Sequence, residues 1–165
     1  MSGQLFNVLG RAETLDASAS FGRHTTSPFQ VNLSKPISGD PDKVLKLSAG
    51  SLSSKYPSGL KYCHSSDNAS IALKLPSWIP GASHELKLGF DWRTIHGLAS
   101  DASPTLRRAA GHSLKSAISH SWTMDSRNDS VFPSHGIFTR WNQEIAGGLL
   151  GGDANHVKQD LFASA

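Results

Sequence analysis

Between His84 and Arg93 the chain reads HELKLGFDWR, and every second residue is large and apolar. Leu86, Leu88, Phe90 and Trp92 alternate with Glu85, Lys87, Gly89, Asp91 and Arg93. A period of two places alternate side chains on opposite faces of a strand, so this segment is oily on one side and charged on the other. The same pattern recurs along the chain. Residues 14–21, 29–35, 43–52, 68–75, 111–124, 137–145 and, more weakly, 157–163 all alternate, and KPISGDPDK, SKYPSG and AGGLLGGD separate some of them as turns and loops. Periodicity therefore predicts an all-β antiparallel meander of about eight strands, with no segment that reads as a helix.

A length of 165 residues fits one domain. Apolar residues make up 38% and charged residues 18%, below the roughly 45–50% and about 25% of average proteins. Serine scattered through the alternating segments fills the difference. The net charge of +3 comes with one basic doublet, Arg107-Arg108, which is too weak a footprint to predict a nucleic-acid partner. Cys63 is the only cysteine, so no disulfide forms within the chain. No apolar run reaches the length of a transmembrane helix, and the start MSGQLFNVLGRAE has no signal-peptide core. Alternating strands remain open to two architectures. One is a soluble sandwich or barrel with its oily faces inward. The other is a membrane barrel with its oily faces toward lipid and its charges toward a wet lumen. Segments of about ten residues suit the roughly 9–11 that cross a bilayer at a tilt, which favours the membrane form.

The candidate chemistry is concentrated in SWTMDSRNDSVFPSHGIFTRW, where Asp125, Arg127 and Asp129 precede Pro133 and Gly136. Read as catalysis, the triplet needs a cleft and a supporting partner. Read as a charged turn between two strands, it needs neither, and that reading is favoured about tenfold. Eight histidines show no ligand spacing, Gly147, Gly148, Gly151 and Gly152 lack the Lys-Ser/Thr of a phosphate loop, and the S-x-x-K match at Ser58–Lys61 lacks the other motifs of serine acylation. No catalytic residue, cofactor or metal is expected. A soluble all-β binding module, for carbohydrate with Trp92, Trp122 and Trp141 as stacking platforms, stands as the rival from another class.

The run GHSLKSAISHSWTMDSRNDSVFPSHGIFTRWNQEIAGGLLGGD, with NVLGRAE near the start, resembles the barrel of the core-subunit family of the mitochondrial outer-membrane sorting and assembly machinery. That family lies within the BamA-type superfamily of outer-membrane assembly proteins, and the residues from Asp125 to Gly136 resemble the superfamily's strand-turn-strand signature. The likeness runs from about Asn7 to the end and covers the first half of the family barrel. It implies a partial transmembrane β-barrel of the bacterial surface antigen type over residues 12–165, preceded at 1–11 by a remnant of linker. It also implies two readings of such a partial chain, a working assembly barrel or a truncated, inactive copy.

The activity implied is insertion of β-barrel proteins into the mitochondrial outer membrane, without covalent chemistry. A precursor strand would add to the edge of the barrel's first strand, held there by main-chain hydrogen bonds that count most where water is scarce. On this sequence that edge maps to Thr14, Leu15, Asp16, Ala17, Ser18, Ala19, Ser20 and Phe21. The implied partners are the outer-membrane bilayer, β-barrel precursors and other subunits of the machinery. The family topology would put the 125–136 turn on the intermembrane-space side. A chloroplast outer-envelope import or assembly barrel is the alternative within the superfamily.

Overall fold

The computed structural model describes residues 2–7, 10–20, 25–55, 62–100, 102–129 and 131–164. They form one sheet of nine strands, each hydrogen-bonded only to its neighbours in chain order. The strands are β1 (Ser2–Phe6), β2 (Thr14–Ala19), β3 (Thr25–Ile37), β4 (Asp40–Lys55), β5 (Cys63–Pro76), β6 (Ala82–His96), β7 (Gly111–Asp125), β8 (Phe138–Ala146) and β9 (His156–Ser164). Every pairing is antiparallel. This is the all-β meander of a partial barrel, with one strand more than periodicity predicts.

The register explains why the sheet holds. Leu5, Leu15, Leu33, Leu47, Ile71, Leu88, Ile118, Ile145 and Val157 are successive cross-strand partners, so one unbroken aliphatic row crosses all nine strands. Slipping any strand by one residue would turn its member of that row to the opposite face. Among the described residues nothing outside the sheet packs on the row. Ile118 is 43% exposed and Ile145 57% exposed, whereas the buried apolar residues are small, such as Ala72, Ala117 and Ala146, or lie near a strand end, such as Ile95.

Local chemistry sets the connections. Ser38 and Gly39 both have positive φ, 57° and 74°, and join Ile37 directly to Asp40. A two-residue turn of this hand matches the twist of its flanking strands. The polar run KPISGDPDK is thus mostly strand, with only its SG pair turning. Pro28 falls at a bulge between Thr26 and Phe29, a place that tolerates a residue without an N–H. Gly50 sits opposite, where a Cβ would come within 3.1 Å of the Phe29 carbonyl oxygen.

Three expectations change. The residues expected as linker, 1–11, supply β1, which pairs from Ser2↔Ser18 to Phe6↔Thr14. Its sequence SGQLF is too short to show a period, because only Gly3 and Leu5 share the apolar face while Phe6 falls on the other. A five-residue helix, α1 (Pro104–Arg108), interrupts the β6–β7 connection where no helix was expected. Its Ser103 cap accepts a hydrogen bond from the Leu106 N–H, and Pro104 begins the first turn, a local start signal independent of period. Several strands, β4 to β6 above all, also run longer than their alternating centres: residues 53–55 prolong β4, Cys63 to Asp67 begin β5 and Thr94 to His96 prolong β6.

Candidate functional site

Alternation sorts the two faces of the sheet by chemistry. On the first face, rows of Leu, Ile, Val, Phe and Trp lie open: Phe90 is 41% exposed, Trp92 47% and Trp141 40%. Trp122 and Trp141 are direct cross-strand partners there. An uncovered apolar surface of this extent marks contact with lipid or protein. The opposite face is wet and charged. Lys46 pairs with Glu85 at 2.9 Å, Lys115 with Glu144 at 2.7 Å and Lys158 with Asp160 at 2.8 Å. A groove of about 310 Å³ on that face is lined by Gln30, Asn68, Lys87, Asp91, Lys115 and Glu144 among others. Apolar outside and ion-paired inside is the arrangement of a membrane barrel wall.

The outermost strands are β1 and β9. Residues 14–21, expected as the first-strand edge, are therefore not outermost. Thr14, Leu15, Asp16, Ala17 and Ser18 pair with β1 on one side and β3 on the other, and Ala19 pairs with Phe29. The Ser20 N–H donates to the Pro28 carbonyl at 3.0 Å. Phe21 lies outside the described residues, as do Ser58, Gly59, Leu60 and Lys61. Among the described residues the backbone of 14–18 is thus paired on both sides, and the strand outside it is β1, Ser2–Phe6.

The 126–137 connection is built by its own polar side chains. Arg127 Nε and Nη2 donate to Asp125 Oδ1 and Oδ2 at 3.0 and 2.9 Å, a two-pronged contact, and the Arg127 N–H donates to Oδ1 as well. The Asp129 carboxylate accepts from the N–H groups of Val131 and Phe132 at 2.7 and 3.2 Å. Asn128 Oδ1 accepts from the N–H groups of Ser134 and His135 at 3.0 and 3.2 Å. Ser126 closes the base, its N–H and hydroxyl both donating to the Ile137 carbonyl. Two guanidinium groups lie against the ring of Phe138, 4.8 Å for Arg127 and 5.4 Å for Arg140 from its centroid. Gly136 has φ 104°, and a Cβ there would stand 2.6 Å from Arg127 Cα. Pro133 and Gly136 thus belong to one organised turn with Asp125, Arg127 and Asp129.

The Arg127 guanidinium and N–H hold the Asp125 carboxyl down to about 2, and the Val131 and Phe132 N–H groups lower that of Asp129. Both stay ionised at neutral pH with their oxygens committed to the turn, which suits architecture rather than proton transfer. A depressed folded pKa stabilises above the unfolded value of about 3.9 and ceases to as pH falls through the folded one. The turn is therefore expected to loosen as pH drops from about 4 toward about 2. Carboxyl ¹³C titration of the barrel in micelles checks this: Asp125 should titrate near 2, and a midpoint near that of a free aspartate would contradict the pairing.

Among the described residues no group of three or more His, Cys, Asp or Glu is placed to hold a metal ion. Two histidines that spacing did not connect, His84 and His120, do meet, because strands β6 and β7 bring together residues distant in sequence. Trp92, Trp122 and Trp141 all lie on the apolar face, with Leu114, Trp141 and Leu161 among their cross-strand partners.

Residues 7–165 match the Omp85 superfamily domain. The chain is 35% identical over 159 residues to the sorting and assembly machinery component 50 homolog of Bos taurus, and 34% identical to that of Homo sapiens. It is 31% identical over 157 residues to a SAM50-like protein of Schizosaccharomyces pombe. These alignments take in 94–96% of the chain, which spans about a third of the length of each relative. Two-faced strands, the 126–137 turn and a match over nearly the whole chain converge on one conclusion: the chain belongs to the Omp85 superfamily.

Proposed function

We propose that this chain forms part of a barrel wall in the mitochondrial outer membrane and acts in the insertion of other β-barrel proteins there. The carrying observation is the single-layer sheet itself. Its large apolar side chains lie uncovered on one face and its ion pairs on the other, in a chain similar along nearly its whole length to sorting and assembly machinery components. Lipid covers the apolar face, and precursor strands and further subunits of the machinery are the partners. The strand ends at Phe6, Ile37, Pro76 and Asp125 share one end of the sheet, which on the family topology faces the intermembrane space.

Insertion proceeds by strand addition at an exposed edge, and in this sheet that edge is β1. Five residues, Ser2 to Phe6, present the main-chain groups that β2 does not use. In a medium without water such groups favour pairing with an incoming strand.

The membrane reading predicts that the full-length protein stays in the pellet after alkaline carbonate; quantitative release would overturn it. The edge reading is tested on arrested precursors in isolated mitochondria, with Cys63→Ser as background. Gln4→Cys should crosslink to a precursor's terminal strand and Ser119→Cys should not. Equal crosslinking at the two positions would sink the edge assignment, and crosslinking at Ser18→Cys in preference to Gln4→Cys would return the edge to β2.

A further inference from the structure

On β7 to β9 a run of polar side chains interrupts the apolar face. Next to the aliphatic row, the register lines up Leu45, Leu73 and Leu86 on β4 to β6, and then His120, Gln143 and Gln159 on β7 to β9. His84 joins from the adjacent row: its Nδ1 lies 3.0 Å from His120 Nε2, and the two rings stack with centroids 5.3 Å apart. The stripe is not at the rim. Trp122, Trp141 and Leu161 flank it on one side, and Ile118, Ile145 and Val157 on the other.

The Gln143 and Gln159 side chains make no hydrogen bond among the described residues, and each imidazole keeps a second nitrogen beyond the one it shares. Bare acyl chains offer nothing to such groups, and a polar group without a partner in hydrocarbon is costly. Headgroups are an unsuitable source, because an aliphatic or aromatic row separates the stripe from either edge of the belt. The same row is leucine on β4 to β6 and Lys35 on β3, two residues from that strand's end at Ile37, so an apolar stretch separates the β7 to β9 polar run from the lysine at the sheet's turn end.

We propose that this sector, centred on His84, His120, Gln143 and Gln159, seats a second membrane-spanning protein of different sequence, one that brings amide or hydroxyl side chains to the same depth. The partner satisfies the glutamines and histidines, and Trp122 and Trp141 supply the large rigid anchors on which such contacts concentrate. The inference rests on the membrane reading above.

The test uses the full-length protein in intact outer membranes, with a photoreactive phenylalanine analogue in place of Gln143 or Gln159. Val31 and Ala49, on the same face but another sector, serve as controls. Adducts with one protein of discrete mass are expected at 143 and 159, and lipid adducts alone at 31 and 49. The paired variant Gln143→Leu/Gln159→Leu should lose that protein on native gels while the barrel stays folded and carbonate-resistant. Lipid adducts alone at 143 and 159 would overturn the proposal, as would a complex that survives the paired variant. An adduct with a differently tagged copy of the same chain would overturn the commitment to a different partner. Loss of carbonate resistance in the unaltered protein would instead strike the membrane reading, so the two failures are separable.

Discussion

Alanine at Gly136 is expected to be among the most damaging single-methyl additions this sheet can receive. Gly136 has φ 104°, outside the small left-handed region that other residues enter, and its missing side chain is where the backbone of the opposite limb passes. An added Cβ would lie 2.6 Å from Arg127 Cα and 2.7 Å from the Ser126 carbonyl carbon. Both are main-chain atoms, so no side chain can swing away. Relief requires moving Ser126, whose hydrogen bonds to Ile137 close the turn, or Arg127, whose guanidinium is fixed on Asp125 and Phe138. Backbone strain of this kind costs about 1–3 kcal/mol on its own, and the clash brings the expected loss for Gly136→Ala to roughly 3 kcal/mol or more. Gly39→Ala is the matched comparison. Gly39 also has positive φ, 74°, but a Cβ there meets nothing within 4 Å, so about 1 kcal/mol is expected. Urea unfolding of barrels refolded into lipid vesicles measures both. Equal losses at the two glycines would mean that the turn is not packed as described.

Much of this was legible in the residues. Period-two alternation is a property of single strands, and in HELKLGFDWR or NASIALKL it needs no knowledge of neighbours. The charged turn was legible too, since acid-x-base-x-acid followed by proline and glycine is local chemistry. What stayed hidden depends on pairing. Ser2–Phe6 is too short to show a period, and only its register against Thr14–Ser18 reveals it as the sheet's edge. That one strand puts Thr14–Ser18 between two neighbours, which is why the edge is proposed at β1. Likewise His84 and His120 are 36 positions apart and acquire meaning only when β6 and β7 align them. Gln143 and Gln159 look like ordinary polar residues of an alternating segment until the row containing them is seen to lie between two apolar rows.

The largest effect on the apolar face is expected at its centre. Ile118 sits within the aliphatic row that crosses all nine strands, between Leu88 and Ile145, while its neighbour Ser119 turns to the charged face opposite Lys87 and Glu144. Arginine on the lipid face of a barrel costs about 2–4 kcal/mol at the bilayer midplane and about 0–1 kcal/mol near the interfaces. Ile118→Arg is therefore expected to destabilise the protein in vesicles by roughly 2–4 kcal/mol. Met124→Arg is on the same face but one residue from the strand end at Asp125, and should cost no more than about 1 kcal/mol. Ser119→Arg, beside Glu144 in the wet interior, should stay within about 0.5 kcal/mol. The order of the three carries the argument. In water an isoleucine already 43% exposed has little burial to lose, so a soluble sheet would give Ile118→Arg and Met124→Arg similar small effects. Depth dependence arises only when hydrocarbon surrounds the row, and unfolding of the three variants in the same vesicles reads it directly. A flat profile would remove lipid from the apolar face.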